Sequence, residues 1–427
     1  MTVASSEYLN APLPQLRVGA QLHCPIYDAR SSRRPLLLAA GATLSETQLR
    51  ALQQRGVTEV LVHASEFDRV VVDGQALAAR SEPVPQPAAD KRARSLVPGW
   101  RNDPDSFLHS VRRPETLARD PQRAAEYERT YAQAVETTRS IVDRLVAHRE
   151  LKTCLIQDVS QRNLNEIADD LDEFLFRGLR PVCSDYPSRH SLQTAMLAAS
   201  MGTTMGLRAD ELMELAFGCL LHDVGMLLVP QEILNVAGPM TPTQRLEIQK
   251  HPIYSADLIQ NCRDVPPGAR HVVYQMHERM NGSGYPRQRT GPQIHPLARI
   301  AAIADMYLAL VSPRPFRPPL EPYRAIEKLL FSTRQGLFDA SAVRALIHTV
   351  SVFPIGSGVQ LSDGRTARVI RGNRDQFARP VVQIVEPGQS ADTGEVVDLC
   401  ASTELTVVAT AQLPDDAATP AKLAVSV

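Results

Sequence analysis

The stretch LAFGCLLHDVGMLLV, residues 215–229, decides how this chain folds, because it sets a histidine beside an aspartate in an otherwise apolar segment. Burying His222 and Asp223 costs free energy unless both polar groups find partners. A metal ion satisfies an imidazole and a carboxylate together, and this donor pair suits iron, manganese, zinc and similar ions. An aspartate can also bridge two ions with its two oxygen atoms. The stretch therefore predicts a metal centre buried in a helical domain.

Four further potential ligands surround this pair at intervals of roughly 30 residues, one for each predicted helix of a bundle. They are His190, His251, His277 and Asp305. Two ions about 4 Å apart would activate a bridging hydroxide for attack on phosphorus. Any single buried histidine is more often a hydrogen-bonded core residue than a ligand. The ordered set is far less expected by chance, so it points to a phosphohydrolase centre.

The hydrophobic pattern changes along the chain and predicts several domains. Residues 1–75 predict a small α+β module, and residues 76–120, rich in Pro, Ala and Arg, predict a linker. Residues 121–350 carry a helical period, whereas residues 351–412 alternate around Gly and Asp-Gly turns, as in a small antiparallel β-domain. Residues 413–427 are predicted to be a flexible tail. The fold class expected is therefore mainly α.

Composition excludes several classes of protein. The 427 residues include 46 Lys+Arg and 47 Asp+Glu, so the net charge of -1 gives no bulk attraction to nucleic acid or an anionic membrane. The six cysteines form no CxxC pair, which is typical of reduced thiols. The first residues lack the basic and apolar regions of a signal peptide. We therefore expect a cytoplasmic protein with no nucleic-acid partner and no membrane insertion.

Four stretches of the chain are very similar to the HD-GYP domains of bacteria, a branch of the HD phosphohydrolases. They are LLHDVGMLLVP (220–230), KHPIYSADLI (250–259), QMHERMNGSGYPR (275–287) and HPLARIAAIADMY (295–307). The resemblance covers roughly residues 185–350 and is highly specific. It implies an all-helical HD-type phosphohydrolase domain with two or three metal ions, often iron or manganese. It also implies hydrolysis of cyclic di-GMP to the linear dinucleotide and on to GMP.

The resemblance assigns roles residue by residue. Metal ligands by this match are His190, His222, Asp223, His251, His277 and Asp305. His222 and Asp223 form the catalytic pair, and Asp223 is the expected bridge between ions. Substrate contacts by this match are Gly284, Tyr285, Pro286, Arg314 and Arg317. The first ion would be held by His190, His222, Asp223 and Asp305, and the second by His251, His277 and Asp223.

Five residues depart from the usual family pattern, among them Asn281, which precedes Gly282 where the family has an aspartate. Met276 replaces a ligand histidine, Met226 replaces a lysine, and Leu308 replaces an aspartate. Tyr186 stands where some members carry a glutamate, which argues against a third ion. A thioether is a poor ligand for hard divalent ions. We therefore expect at least one divalent ion and predict two, iron or manganese, with reduced or altered activity.

Three functions remain open on the sequence. The first is a cyclic di-GMP phosphodiesterase of bacterial second-messenger signalling that uses a metal-bridging hydroxide. The second is a degenerate receptor or scaffold. It binds a nucleotide or a signalling protein, without turnover, through the loop that carries Gly284, Tyr285 and Pro286, here called the GYP loop. The third is a phosphohydrolase for another nucleotide. Homodimer formation through the flanking modules is a further expectation.

Overall fold

The computed structural model divides the chain into two compact units, Met1–Arg94 and Ser95–Val427. The structure describes residues 8–22, 26–29, 36–38, 43–54, 57–72, 103–112, 114, 117–147, 152–180, 186–234, 236, 238, 240–260, 262, 264–313, 317–373, 376–386, 394–402 and 404–413. Most of the predicted linker and nearly all of the predicted tail lie outside these residues. Within them, no helix combines the length and the apolar character that crossing a bilayer requires.

The first unit is the predicted α+β module. Its elements are β1 (Tyr8–Pro12), β2 (Ile26–Asp28), β3 (Leu36–Leu38), α1 (Glu46–Gln54), β4 (Glu59–His63) and α2 (Phe67–Val70). The strands form one antiparallel sheet in the order β1-β4-β2-β3. Ser45 caps the start of α1, since its hydroxyl accepts a hydrogen bond from the backbone N–H of Gln48 at 3.2 Å. Val60 and Phe67 contribute to the small core of this unit.

The second unit is built mainly of helices, which confirms the expected fold class. They are α3 (Pro121–Val146), α4 (Thr153–Gly178), α5 (Ser188–Thr204), α6 (Ala209–Leu221), α7 (Gln231–Leu234), α8 (Pro242–Ile248), α9 (His251–Leu258), α10 (Pro267–Gln275), α11 (Pro296–Val311), α12 (Pro322–Arg334) and α13 (Ala340–Val350). Helix α5 is buried along nearly its whole length. It packs against α3, α4, α6, α11 and α13, so it is the central helix of the domain.

An antiparallel sheet of five strands follows the helices, as predicted. Its strands are β5 (Gly358–Leu361), β6 (Thr366–Arg371), β7 (Val381–Ile384), β8 (Val396–Asp398) and β9 (Val407–Ala411). Their order in the sheet is β8-β7-β6-β5-β9. Val359, Val369 and Val382 of this sheet belong to the same hydrophobic core as the helices. The β-domain is therefore a continuation of the helical core.

Buried ion pairs fasten this sheet to helix α4. Arg371 of β6 donates two hydrogen bonds to the carboxylate of Asp170, at 2.9 and 3.0 Å. Asp170 interrupts α4 with a non-helical backbone, φ -157° and ψ 95°, and its carboxylate also accepts from the N–H of Glu173. Arg371 donates in addition to the carbonyl of Leu117. One guanidinium thus joins the sheet, the kinked helix and the segment before α3.

The C-terminal part of the predicted linker is packed against the helices. Phe107 donates its backbone N–H to the carbonyl of Leu207, and Arg112 does the same to Ala168. The guanidinium of Arg119 makes two hydrogen bonds with the buried carboxylate of Glu173, at 2.8 and 3.0 Å. Composition alone did not predict this, because an Arg-rich segment becomes ordered only when the rest of the fold supplies buried carboxylates.

Removing one partner of the buried Asp170–Arg371 pair should destabilise the protein. We expect Asp170→Ala to lower the free energy of unfolding by about 3 kcal/mol, because it leaves an uncompensated buried guanidinium. Denaturant unfolding followed by helical circular dichroism measures the change. Asp363→Ala, which breaks a solvent-exposed pair with Arg365, is the matched control and should have little effect. Equal effects of the two variants would contradict the structural role of the buried pair.

Candidate metal centre

The structure brings all six predicted metal ligands together, and every one of them is buried. His190 lies in the first turn of α5, and Asp305 lies within α11. The other four lie at helix ends: His222 and Asp223 directly after α6, His251 at the first residue of α9, and His277 after α10. Five helices of one domain therefore supply the side chains of a single cluster.

A tight turn sets the direction of the His222–Asp223 pair. Gly225 follows the pair, and a Cβ atom at this position would lie 2.3 Å from the carbonyl oxygen of His251. The buried hydroxyl of Ser255 donates to the carbonyl of His222 at 2.7 Å and accepts the N–H of Gly225 at 2.8 Å. Helix α9 is thereby held against the turn, and its first residue faces Asp223.

The stretch 243–260 lies within the region of helical period and forms two helices in the structure. The break between α8 and α9 at Gln249 and Lys250 lets the Nδ1 atom of His251 donate to the carbonyl of Ile248 at 2.7 Å. His222 makes the same contact with the carbonyl of Cys219 at 2.7 Å. A carbonyl only accepts, so each Nδ1 atom carries a proton and each Nε2 atom is the one that can bind a metal ion.

Asp223 lies at the centre of the cluster, and its two oxygens face different histidines. Oδ2 lies 3.2 Å from Nε2 of His222 and 4.0 Å from Nε2 of His190. Oδ1 lies 3.4 Å from Nε2 of His251. This is the arrangement that a carboxylate shared between two ions requires.

The other close pairs have the spacing of neighbouring ligands. His190 Nε2 and Asp305 Oδ1 are 3.0 Å apart, and so are the Nε2 atoms of His251 and His277. Two ligand atoms about 2.1 Å from one ion lie about 3.0 Å apart in an octahedral shell and about 3.4 Å apart in a tetrahedral shell. The four shortest distances in the cluster, from 3.0 to 3.4 Å, fall in this range, whereas His190 Nε2 and Asp223 Oδ2 are farther apart at 4.0 Å.

Protonation states in the cluster also fit metal binding. Burial and the neighbouring His251 lower the pKa of His277 to about 3, and burial lowers the pKa of His251, so both imidazoles are neutral. Burial opposes ionisation of Asp305, but His190 and His277 lower its pKa. Burial also disfavours the charged form of His222, yet the charges of Asp223 and Asp305 raise its pKa to about 9. A metal ion would replace that proton on His222.

The donor set therefore fits divalent metal ions. His222 Nε2 is buried without a hydrogen-bond partner, which is costly unless a cation or proton occupies the lone-pair direction. Among the described residues, two groups have ligand atoms close enough to hold an ion: His190, His222 and Asp305, and His222, Asp223 and His277. The first group contains three of the four residues predicted for the first ion and lacks Asp223, and the second has His222 where the sequence assigned His251.

The GYP loop packs against the cluster through close backbone contacts. A Cβ atom at Gly284 would lie 2.5 Å or less from backbone atoms of Glu278, Arg279 and His277. The ring of Tyr285 stacks on the imidazole of His277, with centroids 5.0 Å apart.

The buried carboxylate of Glu278 fixes the end of this loop. It accepts the backbone N–H groups of Arg287 and Arg289, at 2.7 and 2.9 Å. At residue 284 only glycine, which has no Cβ atom, permits the close approach of the loop to the backbone of residues 277–279.

The remaining predicted residues lie in different environments. Arg314 lies outside the described residues. The guanidinium of Arg317 donates to the carbonyls of Leu310 and Pro318, at 3.0 and 3.1 Å, at the end of α11. Met226, Met276 and Leu308 are all buried.

Sequence reasoning missed Ser255 and Glu278, whose roles depend on contacts with distant backbone. It considered Tyr186 only as a missing glutamate, whereas the Tyr186 hydroxyl donates to Asp223 Oδ2 at 2.7 Å. The position of a tyrosine four residues before His190 was the sequence signal that could have indicated a contact with the cluster.

The chain is similar to several known proteins. The HD domain family matches residues 167–342. Over 263 residues the chain is 27% identical to a cyclic di-GMP phosphodiesterase of Pseudomonas aeruginosa, covering 56% of this chain and 63% of that protein. Over 138 residues it is 35% identical to 3'3'-cGAMP-specific phosphodiesterase 1 of Vibrio cholerae, covering 31% of each. The chain thus spans less than two thirds of the length of these relatives.

A solved structure, that of an HDG"Y"P protein from Bdellovibrio bacteriovorus, is also similar. The sequence identity is 15%, the alignment covers 80% of this chain and 98% of that chain, and the TM-score is 0.45.

The cluster should bind manganese. Adding Mn²⁺ at a hundred times its Kd to metal-stripped protein should stabilise the fold by about 2.7 kcal/mol and raise the midpoint of thermal unfolding. Asp223→Asn should abolish this rise. His271→Ala is the matched control, because His271 stacks on His295 outside the cluster. A rise that persists in Asp223→Asn would contradict the assignment of the site.

The close approach of Gly284 should also control metal affinity. Gly284→Ala displaces the loop and the ring of Tyr285 from His277, so we expect Mn²⁺ affinity to fall about tenfold. Gly364→Ala is the control, since that turn glycine has a φ of +88° but open space around it. Competition with a metal-binding dye measures both variants. An unchanged affinity in Gly284→Ala would show that the loop does not support the cluster.

Proposed function

Because the chain belongs through residues 167–342 to the HD-GYP branch of the HD domain family, we propose that it is a metal-dependent phosphodiesterase that hydrolyses a cyclic dinucleotide. Cyclic di-GMP is the first candidate substrate, with the linear dinucleotide and GMP as products. The observation that carries this proposal is the buried Asp223 carboxylate, whose two oxygens face different histidines. Relatives named for cyclic di-GMP and 3'3'-cGAMP support the substrate class.

The residues that would hold divalent ions are His190, His222, Asp223, His251, His277 and Asp305. When bound, such ions supply positive charge that activates water and stabilises charge developing on the phosphodiester. Iron or manganese suits this mixed set of imidazole and carboxylate donors. We propose two ions, with Asp223 as the ligand that both share.

The surrounding protein has a distinct task, which is to keep the donors oriented and buried. The carbonyls of Cys219 and Ile248 hold the imidazoles of His222 and His251 by their Nδ1 atoms. Ligands with fixed orientation need no reorganisation when the substrate arrives. The partly buried Tyr285 covers His277 and lies beside Pro286 at the edge where we place the nucleotide.

The proposed activity is weaker than a complete set of family residues would give. Met226 offers no cation to a phosphate, and the described contacts of Arg317 are with backbone carbonyls. Loss of one stabilising cation raises a barrier by a few kcal/mol, hence a rate loss of about tenfold to a thousandfold. The role in second-messenger signalling and the cytoplasmic location remain predictions, as do protein partners and homodimer formation.

Turnover of cyclic di-GMP tests the proposal. Protein loaded anaerobically with Mn²⁺ or Fe²⁺ should convert cyclic di-GMP to the linear dinucleotide or GMP, and chromatography of the products measures the rate. Asp223→Ala should lower the rate by at least about a thousandfold, because it removes the shared ligand. Asp257→Ala, which removes an exposed carboxylate of α9, should leave the rate unchanged.

A parallel assay with 3'3'-cGAMP and linear dinucleotides distinguishes the substrates. If the protein hydrolyses 3'3'-cGAMP or a linear dinucleotide but not cyclic di-GMP, that nucleotide is the substrate and the reaction is still hydrolysis of a phosphodiester. Tight binding of cyclic di-GMP by metal-loaded protein without turnover would contradict the enzyme and favour the receptor, the role that the apolar Met226 and Met276 would suit.

A further inference from the structure

Tyr186 contacts the metal centre in a way that the ligand set does not require. It lies two residues before α5, and its hydroxyl donates a hydrogen bond of 2.7 Å to Oδ2 of Asp223. Its ring lies 5.7 Å from the imidazole of His190. The residue is 42% exposed, whereas Asp223 is 4% exposed. The phenol therefore joins the buried centre to its solvent-facing edge.

The hydrogen bond acts on the oxygen that has the most neighbours in the cluster. Oδ2 of Asp223 also lies 3.2 Å from Nε2 of His222 and 4.0 Å from Nε2 of His190. A carboxylate oxygen has two lone pairs. The hydroxyl of Tyr186 donates to one lone pair of Oδ2. The second lone pair is left for the side of the cluster on which His222 and His190 lie. Partial rotation of the carboxylate would break this bond, so the bond fixes the plane in which one oxygen faces His222 and the other faces His251.

Building on the proposed function, we propose that Tyr186 is a positioning residue of the metal centre. Its hydroxyl holds the carboxylate of Asp223 so that the two oxygens face the two histidine groups, and it thereby sets the affinity for divalent ions. A neutral phenol does this without adding negative charge beside Asp223 and Asp305. A hydrogen bond to an ionised group is roughly twice as strong as one between neutral groups, so its loss should be measurable.

Tyr186→Phe tests this role with a small change. The variant keeps the half-exposed ring and removes only the hydroxyl, so we expect the midpoint of thermal unfolding without metal to stay close to that of the wild type. The affinity for Mn²⁺ should fall about tenfold, at the lower end of the loss usual for a residue that orients a metal ligand. Titration with Mn²⁺ in competition with a metal-binding dye, in the absence of nucleotide, gives the affinity directly.

Tyr127→Phe is the matched control. Its hydroxyl also donates to a carboxylate, that of Asp169 at 3.5 Å, but this pair joins α3 and α4 outside the metal cluster. We expect its Mn²⁺ affinity to stay within twofold of the wild type. In turnover at limiting Mn²⁺, Tyr186→Phe should lower kcat while the KM for cyclic di-GMP stays within twofold, as expected for a residue that orients a ligand.

The outcomes separate this inference from the proposed function. An affinity of Tyr186→Phe within twofold of the wild type would overturn the positioning role even if the enzyme is active. A tenfold loss of Mn²⁺ affinity in a protein that turns over no nucleotide would support the positioning role and overturn the phosphodiesterase. An equal loss in Tyr127→Phe would show that the effect is general destabilisation, which also overturns the role of Tyr186.

Discussion

The positions of the helices around the cluster depend on one buried carboxylate, that of Asp223. Asp223 is surrounded by His222, His190 and His251, and it lies inside a core made mostly of Leu, Ala, Val and Ile. A buried charge of this kind costs several kcal/mol unless opposite charges and hydrogen bonds compensate for it. Each helix that delivers a partner is therefore fixed in position as well as packed. The fold and the metal centre satisfy the same constraint.

Residues at helix ends can compensate the buried charge of Asp223. This placement also explains the tight turn at Gly225 and the break between α8 and α9. An end residue can direct its side chain along the helix axis, and backbone carbonyls are available there to hold the imidazole. His222 and His251 both use the carbonyl three residues earlier. Such ends must pack closely, so a glycine stands at residue 225 and a hydroxyl at Ser255 joins the two ends. The small residues of the motif are thus required by packing around the ligands.

The sequence predicted the elements better than the contacts between them. Helical period predicted α5, α6 and α11, and the resemblance predicted the six ligands that the structure brings together. The helical period of residues 121–350 did not give the start of α4 at Thr153, because Ile156 and Val159 become buried only in the assembled core. The bond from Tyr186 to Asp223 and the carbonyl contacts of Arg317 likewise join residues that no local pattern connects.

The apolar substitutions divide the metal centre into two unequal halves. Met276 and Leu308 are 0% and 1% exposed and belong to the hydrophobic core, so they fill space where polar donors would otherwise need compensation. The half around His190, His222 and Asp305 would keep its donors, whereas Met276 stands beside His277 where the family pattern has a ligand histidine, so the half around His251 and His277 would have one donor fewer. Oδ1 of Asp223 faces His251 of this poorer half. A group that orients Asp223 would therefore matter most to an ion with fewer ligands, because each remaining donor would supply a larger share of its binding free energy.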